Sequence, residues 1–220
     1  MVTNPPVLPR PRPEPIVIEG RYGRLEPLSV AHAQDLFHAF SQEPQRFEFL
    51  PDAPPRDVAD MRAWIERAMK SDDYLFHTVV DRASGQACGR QSLMRVVPEH
   101  GVIEIGNILW GPQMARSRLA TEAFYLAARY ALDTLAYRRF EWKCNDRNEP
   151  SKAAALRFGF TFEGVFRQHM WVKGLSRDTA WFSILDREWP PMRARFERWL
   201  DPSNFDAAGR QRSKLGAASG

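Results

Sequence analysis

Apolar and polar positions along the chain switch between a period of two and a period near 3.6, and the switches mark its elements. Alternation around Ile16, Val17, Ile18 and Leu25 predicts a strand over 16–28, bent at 20–23. Ser29 suits an N-cap and predicts a helix running to Phe40. Residues 42–55, rich in proline and aromatics, read as a loop. Val58, Met61, Ile65 and Met69 share one face of a helix over 57–69. Strands follow at 75–80 and 87–97, joined by a turn through Ser84-Gly85, and then at 102–110. Leu119, Ala123, Leu126, Ala127 and Tyr130 recur at helical spacing, which predicts a long helix over 116–135. Phe140, Trp142 and Cys144 share parity on a further strand. Asn148 caps a short helix with Pro150 in its first turn and Gly159 as its stop. The last strands span 160–172 and 178–185 around a Lys173-Gly174 turn, and 188–200 closes the chain as a helix.

This order predicts an α+β fold: a mixed, mostly antiparallel central sheet of about seven strands, flanked by helices, in a single domain. The strand–helix–strand from 102 to 144 is expected to be a right-handed parallel crossover. Residues 1–15, with prolines at 5, 6, 9, 11, 13 and 15, read as an extended arm. Residues 16–206 form the domain, and 207–220 read as a flexible basic tail. The chain has 220 residues, enough to bury a core without staples. No apolar run approaches the roughly 18 residues of a membrane helix, and the start has no apolar signal region. Two cysteines, Cys88 and Cys144, are too few for a disulfide framework, so reduced thiols and a cytoplasmic address are expected. The net charge of +4 comes from the ends: without the arm and the tail, 26 basic and 26 acidic residues remain. Net charge therefore gives no support for a nucleic-acid-binding face, and nucleic acid is not an expected partner.

Chemistry concentrates in 103–123. A strand ends at Gly111-Pro112, a short loop carries Arg116 and Arg118, and a helix begins. Free N–H groups in a first helical turn, beside two guanidinium groups, suit a diphosphate. A solvated turn is the plainer reading. No G-x-G-x-x-G or Walker lysine is present, which argues against a dinucleotide or nucleoside triphosphate. A second stretch joins Asn148-Glu149-Pro150-Ser151 to Leu156-Arg157-Phe158-Gly159-Phe160-Thr161-Phe162-Glu163-Gly164.

The element order and these motifs resemble the GNAT N-acetyltransferases, closest to the Rim-type ribosomal-protein branch. The family pattern Q/R-x-x-G-x-G/A, laid on Ala115, Arg118 and Ala120, matches only at the last position, while Ala120–Ala123 is the branch's A-T-E-A. The second stretch resembles the family's N-x-x-S and K-x-G-F-x-x-E-G blocks. The resemblance implies acetyl-CoA as acyl donor and no metal. It places Leu109, Trp110, Gly111, Arg116, Ser117, Arg118, Leu119, Ala120, Thr121, Asn148 and Arg157 along the cofactor. It implies Phe47, Phe49, Asp52 and Trp171 at the acceptor.

Amine acetylation needs a base for the amine, a donor for the thioester oxygen and a proton for the leaving thiolate. Glu104 shares parity with Gly106 and Ile108 and is the expected base; it reads equally as an outward pleat residue. A backbone N–H near Leu109 and Trp110 is the expected oxyanion donor. The resemblance implies Ser151 as the acid, since the tyrosine that many family members carry on the last strand is Phe182 here. Cys144 reads as core by parity, and the five histidines lack metal-ligand spacing. The expected protein is a monomeric or homodimeric acyl-CoA-dependent N-acyltransferase. Its acceptor is an amine-bearing small molecule, an aminoacyl group or a peptide N-terminus. A succinyl or other acyl donor, and a non-catalytic acyl-CoA-binding protein, are the alternatives left open.

Overall fold

Helices start where the sequence supplies caps. The computed structural model describes residues 7–216. Ser29 caps a single 3-10 turn rather than the whole helix, and α1 (Ala33–Ser41) follows it. Asp57 Oδ1 accepts the Asp60 N–H at 2.7 Å and starts α2 (Val58–Ala68). Met69 falls beyond that helix and is exposed, so it does not extend the apolar face. Ser117 starts α3 (Arg118–Arg129), and one π-helical turn continues it. Asn148 starts α4 (Glu149–Phe158), which ends on Gly159 at φ +100°. The last helix is α5 (Trp189–Trp199). No described helix is long and apolar enough to cross a membrane.

Eight strands form one sheet: β1 (Ile18–Glu19), β2 (Gly23–Pro27), β3 (Tyr74–Asp81), β4 (Ala87–Val97), β5 (Val102–Trp110), β6 (Arg139–Asn145), β7 (Thr161–Val172) and β8 (Leu175–Leu185). Their spatial order is β1-β2-β3-β4-β5-β6-β8-β7. The expected seven become eight because the 20–23 bend splits the first strand. All neighbours are antiparallel except β5 and β6, joined by the expected parallel crossover. One apolar cluster lies under α1 and α2, with Leu36, Phe40, Phe47, Met61, Ile65 and Leu109. The other lies around α3, where Phe124 stacks on Phe158 with centroids 4.2 Å apart.

β5 carries the feature that shapes the site. Its pairing with β6 runs from Val102↔Arg139 to Ile105↔Trp142 and stops. Directly beyond, the β4–β5 ladder slips: Gly106 faces Ser92 but Leu109 faces Arg90, so three steps on β5 match two on β4. Asn107, at φ +49°, sits in this bulge; asparagine tolerates the left-handed region better than most residues with a Cβ. A bulge sharpens twist and turns later side chains to the opposite face. Ile103 and Ile105 pack in the α3 cluster, and so do Ile108 and Trp110, whereas Leu109 joins the α1–α2 cluster. Strand parity placed Ile108 beside Glu104 and Gly106; the bulge is why it lies on the other face.

The ends are more ordered than their composition suggests. In the arm, the Arg10 and Glu14 N–H groups donate to Pro98 O and Tyr130 Oη, both at 3.0 Å, and Tyr137 Oη donates to Pro11 O at 3.1 Å. The tail, expected to be flexible, folds back on α5: Trp199 Nε1 donates to Ser213 O at 3.0 Å, and Leu215 is 2% exposed. Residues 1–6 of the arm and 217–220 of the tail lie outside the described residues.

Glu122, 3% exposed, ties α3 to the β1–β2 bend. Its carboxylate accepts the N–H groups of Arg21, Tyr22 and Gly23 at 2.7, 2.7 and 2.8 Å. Hydrogen bonds to a charged acceptor are worth about 1.5–3 kcal/mol each, and stranded buried donors add to the loss. Glu122→Ala is therefore expected to destabilise the fold by at least about 3 kcal/mol, read as a lower urea midpoint at an unchanged slope. An unchanged midpoint would refute this role.

Candidate active site

Where β5 and β6 part, a cleft of about 200 Å³ opens. Glu104 to Ile108 form one wall and Trp142 to Asn145 the other, with Asn148 and Ser151 of α4 at one end. Arg46, Phe49, Leu50 and Pro51 from the α1–α2 loop, Tyr74 of β3 and Met94 and Arg95 of β4 line the opposite side. Met170, Val172 and Arg177 from the β7–β8 hairpin complete it. Lys173 Nζ donates to Phe47 O at 2.8 Å, tying the hairpin to the α1–α2 loop. Beyond Ile105 the backbone of β5 has no β6 partner, so its groups on that side face the cleft.

Glu104 is 3% exposed, so it is not an outward pleat residue. Lys143 Nζ lies 2.9 Å from its Oε2 and 2.7 Å from Glu141 Oε2, above the Trp181 ring. Arg95 Nη1 lies 3.3 Å from the same Glu104 oxygen. Burial pushes the Glu104 carboxyl above the usual carboxylate range, and Lys143 and Arg95 oppose it. The result is a carboxylate that binds a proton more readily than a surface glutamate does.

Trp142 Nε1 donates to Ser151 Oγ at 3.0 Å. Asn148 Oδ1 accepts the Ser151 N–H at 3.1 Å, the helix-cap bond. With the Trp142 bond arriving at its oxygen, the Ser151 hydroxyl keeps its own proton to give. Cys144, buried beside it, has its thiol pushed up by burial, with Ser151 pulling the other way. A thiol held protonated in this way is a poor nucleophile, in keeping with its core parity. Phe182 is 1% exposed and packs on Phe162, away from the cleft.

Past Trp110 the chain folds as successive turns. The Met114 and Ala115 N–H groups donate to Gly111 O at 3.1 and 3.0 Å, and the Ser117 N–H to Met114 O at 3.1 Å. Ser117 Oγ accepts the Ala120 N–H and Ser117 O the Thr121 N–H, both at 3.3 Å. Among the described residues, the N–H groups of Arg116, Arg118 and Leu119 have no partner. Arg116 sits at φ +63°. A left-handed residue before a helix start gathers successive N–H groups into an anion-binding concavity. It also corrects the motif's register: the position that favours glycine is Arg116, which places Gln113, Arg116 and Arg118 on the Q/R-x-x-G-x-G/A pattern, two residues earlier than Ala115, Arg118 and Ala120.

Several expected cofactor contacts are occupied within the protein. The Gly111 N–H donates to Cys88 O at 2.9 Å, and a Cβ there would meet Ala39 Cβ at 3.1 Å, so this glycine serves the close approach to α1. The Arg118 guanidinium stacks on Tyr22 at 4.4 Å, lining a separate cavity that no residue of β6 or α4 reaches. Arg157 Nη1 donates to Thr121 Oγ1 at 3.2 Å and its guanidinium packs over Trp199, pinning α4 against α3 and α5. The side chains of Leu109 and Leu119 are core, and Trp110 Nε1 donates to Gln91 Oε1 at 3.3 Å.

Of the four expected acceptor residues, only Phe49 lines the cleft. Phe47 is buried against Phe40. Asp52 pairs at 2.8 Å with Arg90, a fully buried arginine that also stacks on Trp64. Trp171 is 75% exposed, because alternation turns its neighbours Met170 and Val172 to the cleft instead. Sequence reasoning missed Lys143 and Arg95. Lys143 was within reach: in Glu141-Trp142-Lys143-Cys144 it has the parity opposite to the core residues. Arg95 was not, because a second bulge, at φ +46°, places it.

A family model described as an acetyltransferase (GNAT) domain matches residues 24–161. A GCN5-related N-acetyltransferase from Brucella melitensis is 54% identical, with TM-score 0.93, covering 95% of this chain and 96% of that one. A GNAT-family protein from Chromobacterium violaceum ATCC 12472 is 38% identical, with TM-score 0.77, covering 86% of this chain and 98% of that one. The Bacillus subtilis (strain 168) protein named "Putative ribosomal N-acetyltransferase YdaF" is 30% identical over 105 residues. That match spans 48% of this chain and 57% of the relative's length.

The buried Glu104–Lys143–Glu141 chain carries a stability signature. Removing one partner of a buried pair costs about 3–5 kcal/mol, and Lys143→Met is expected to lose about that much at neutral pH. A stranded glutamate has a folded pKa raised further above its unfolded value, so the loss shrinks as pH falls and the carboxyl takes up a proton. Denaturant melts at several pH values check this; a pH-independent loss would contradict it.

Proposed function

Given that the chain belongs to the acetyltransferase (GNAT) family, we propose that it transfers an acyl group, acetyl foremost, from acyl-CoA directly to a primary amine. The observation that carries this reading is the parted β5–β6 pair. The gap has unpartnered N–H groups at Arg116, Arg118 and Leu119 beyond one end, and Glu104 and Ser151 along its walls. A thioester arm suits such a gap, because open backbone groups on β5 can pair with its amides. The diphosphate suits the N–H concavity, with the exposed Arg116 guanidinium adding charge.

The acceptor amine loses its proton to Glu104, directly or through water, and its lone pair attacks the thioester carbonyl. The carbon–sulfur bond then breaks as the Ser151 hydroxyl gives its proton to the departing thiolate and takes up the surplus proton of the new amide nitrogen, directly or through water. The products are an amide and CoA, with no covalent enzyme intermediate. Small amines and peptide N-termini are the acceptor classes in this reading. The name of the Bacillus subtilis relative supports the second, and with it kinship to the Rim-type branch.

Calorimetry with acetyl-CoA is expected to give micromolar binding, with succinyl-CoA and free CoA as comparators. Arg116→Gly, which suits φ +63°, removes the guanidinium without straining the loop and is expected to weaken binding about tenfold; no binding by the wild type would overturn the reading.

Once an acceptor is in hand, Glu104→Gln is expected to lower kcat by about 10²–10⁴-fold. In the wild type the rate falls as pH drops through the raised Glu104 pKa, so the acidic limb lies above the ordinary carboxylate range, and the variant loses that limb. A variant with full activity would assign the base elsewhere. Binding without turnover on any amine would favour an acyl-CoA-binding protein.

A further inference from the structure

The cleft has an excess of positive charge that acyl transfer does not use. Arg46, Arg95, Lys143 and Arg177 line it, and Glu104 is its one lining carboxylate among the described residues. Three of the cations have partners. Arg46 is held by Glu43, Lys143 lies between Glu104 and Glu141, and Arg95 shares Glu104. Arg177 has none: its Nε is buried without a hydrogen-bond partner, and its guanidinium makes no ion pair among the described residues. Arg177 also lines an adjoining recess of about 100 Å³ with Asn145, Arg147, Lys173 and Ser176, where Glu48 is the sole acid. A positive field pervades this corner. The His169 imidazole, bonded to Thr179 at 3.0 Å, has its pKa held down by burial, then by Arg95, Arg177 and Lys143.

A half-buried guanidinium without a counter-ion, facing a cleft of like charge, is costly unless a ligand supplies the anion. Its planar fork is matched to the two oxygens of a carboxylate or phosphate. We propose that the acceptor is an amine that also bears an oxyanion, a carboxylate or a phosphate, and that Arg177, backed by Arg95, holds that oxyanion while the amine faces Glu104. This rests on the acyltransfer reading and adds the acceptor's chemical class to it. Phe47, Asp52 and Trp171, expected at the acceptor, all lie outside the cleft.

The test uses the full chain loaded with desulfo-CoA and three primary amines of equal length, ending in a carboxylate, a phosphate or a carboxamide. At least one anionic amine is expected to bind ten or more times tighter than the carboxamide. Arg177→Met is expected to erase that preference, Arg177→Lys to keep part of it, and Arg95→Met to reduce it, each checked for an unchanged melting temperature. Which anion binds tighter tells carboxylate from phosphate. Equal binding of all three amines, a preference that survives Arg177→Met, or no binding of any anionic amine to the loaded protein would overturn the proposal. Loss of desulfo-CoA binding itself would instead count against the acyltransfer reading.

Discussion

One surplus residue in β5 governs what is built around it. The parallel contact between β5 and β6 lasts for four residue pairs, and the bulge at Asn107 begins immediately after. The extra residue twists β5 away from β6 and leaves ladder groups unpaired on that side. It also exchanges the faces of Ile108 and Leu109, so each still finds an apolar cluster. The gap therefore adds no exposed core. It is bounded by two packed layers.

Charges are buried around this gap in a way that packing alone would not favour. Glu104, Lys143 and Glu141 form an alternating chain across β5 and β6, and Arg95 and Arg177 stand beside it. Elsewhere, a buried charge serves the scaffold: Glu122 gathers three backbone N–H groups. The difference is saturation. The Glu122 carboxylate is bonded on both oxygens within the protein, whereas Glu104 lines open space and Arg177 has a buried nitrogen with no partner. Unsaturated buried charge beside a cleft is where chemistry and recognition are expected.

Much of the fold was legible in the sequence, because caps and periodicity are local. Asn148, Gly159 and the Lys173-Gly174 turn fall where the pattern placed them. Glu104 and Ser151, singled out on strand parity and motif, line one cleft. The rest depended on events that parity does not encode. Bulges at Asn107 and Arg95 shift the phase of their strands, so Ile108 faced the wrong way and Arg95 went unnoticed. Arg116 hid a left-handed position because arginine stood where glycine is usual. Phe47 and Asp52 depended on which side of the loop met Phe40 and the long-range partner Arg90. The tail's composition suggested mobility, but Leu215 and Ser213 dock on α5.

The central claim is that the parted strands hold the acyl donor, and amide hydrogen exchange with and without acetyl-CoA tests it most directly. The account predicts slowed exchange at residues 106–110, 116–120 and 144–151, with the β3–β4 turn at 82–86 unchanged. That turn borders a cavity of about 740 Å³ that no residue of β6 or α4 lines, with Ser117, Arg118 and Leu119 on its far side. Protection confined to 82–86 and α1, with 106–110 and 144–151 exchanging as before, would contradict it.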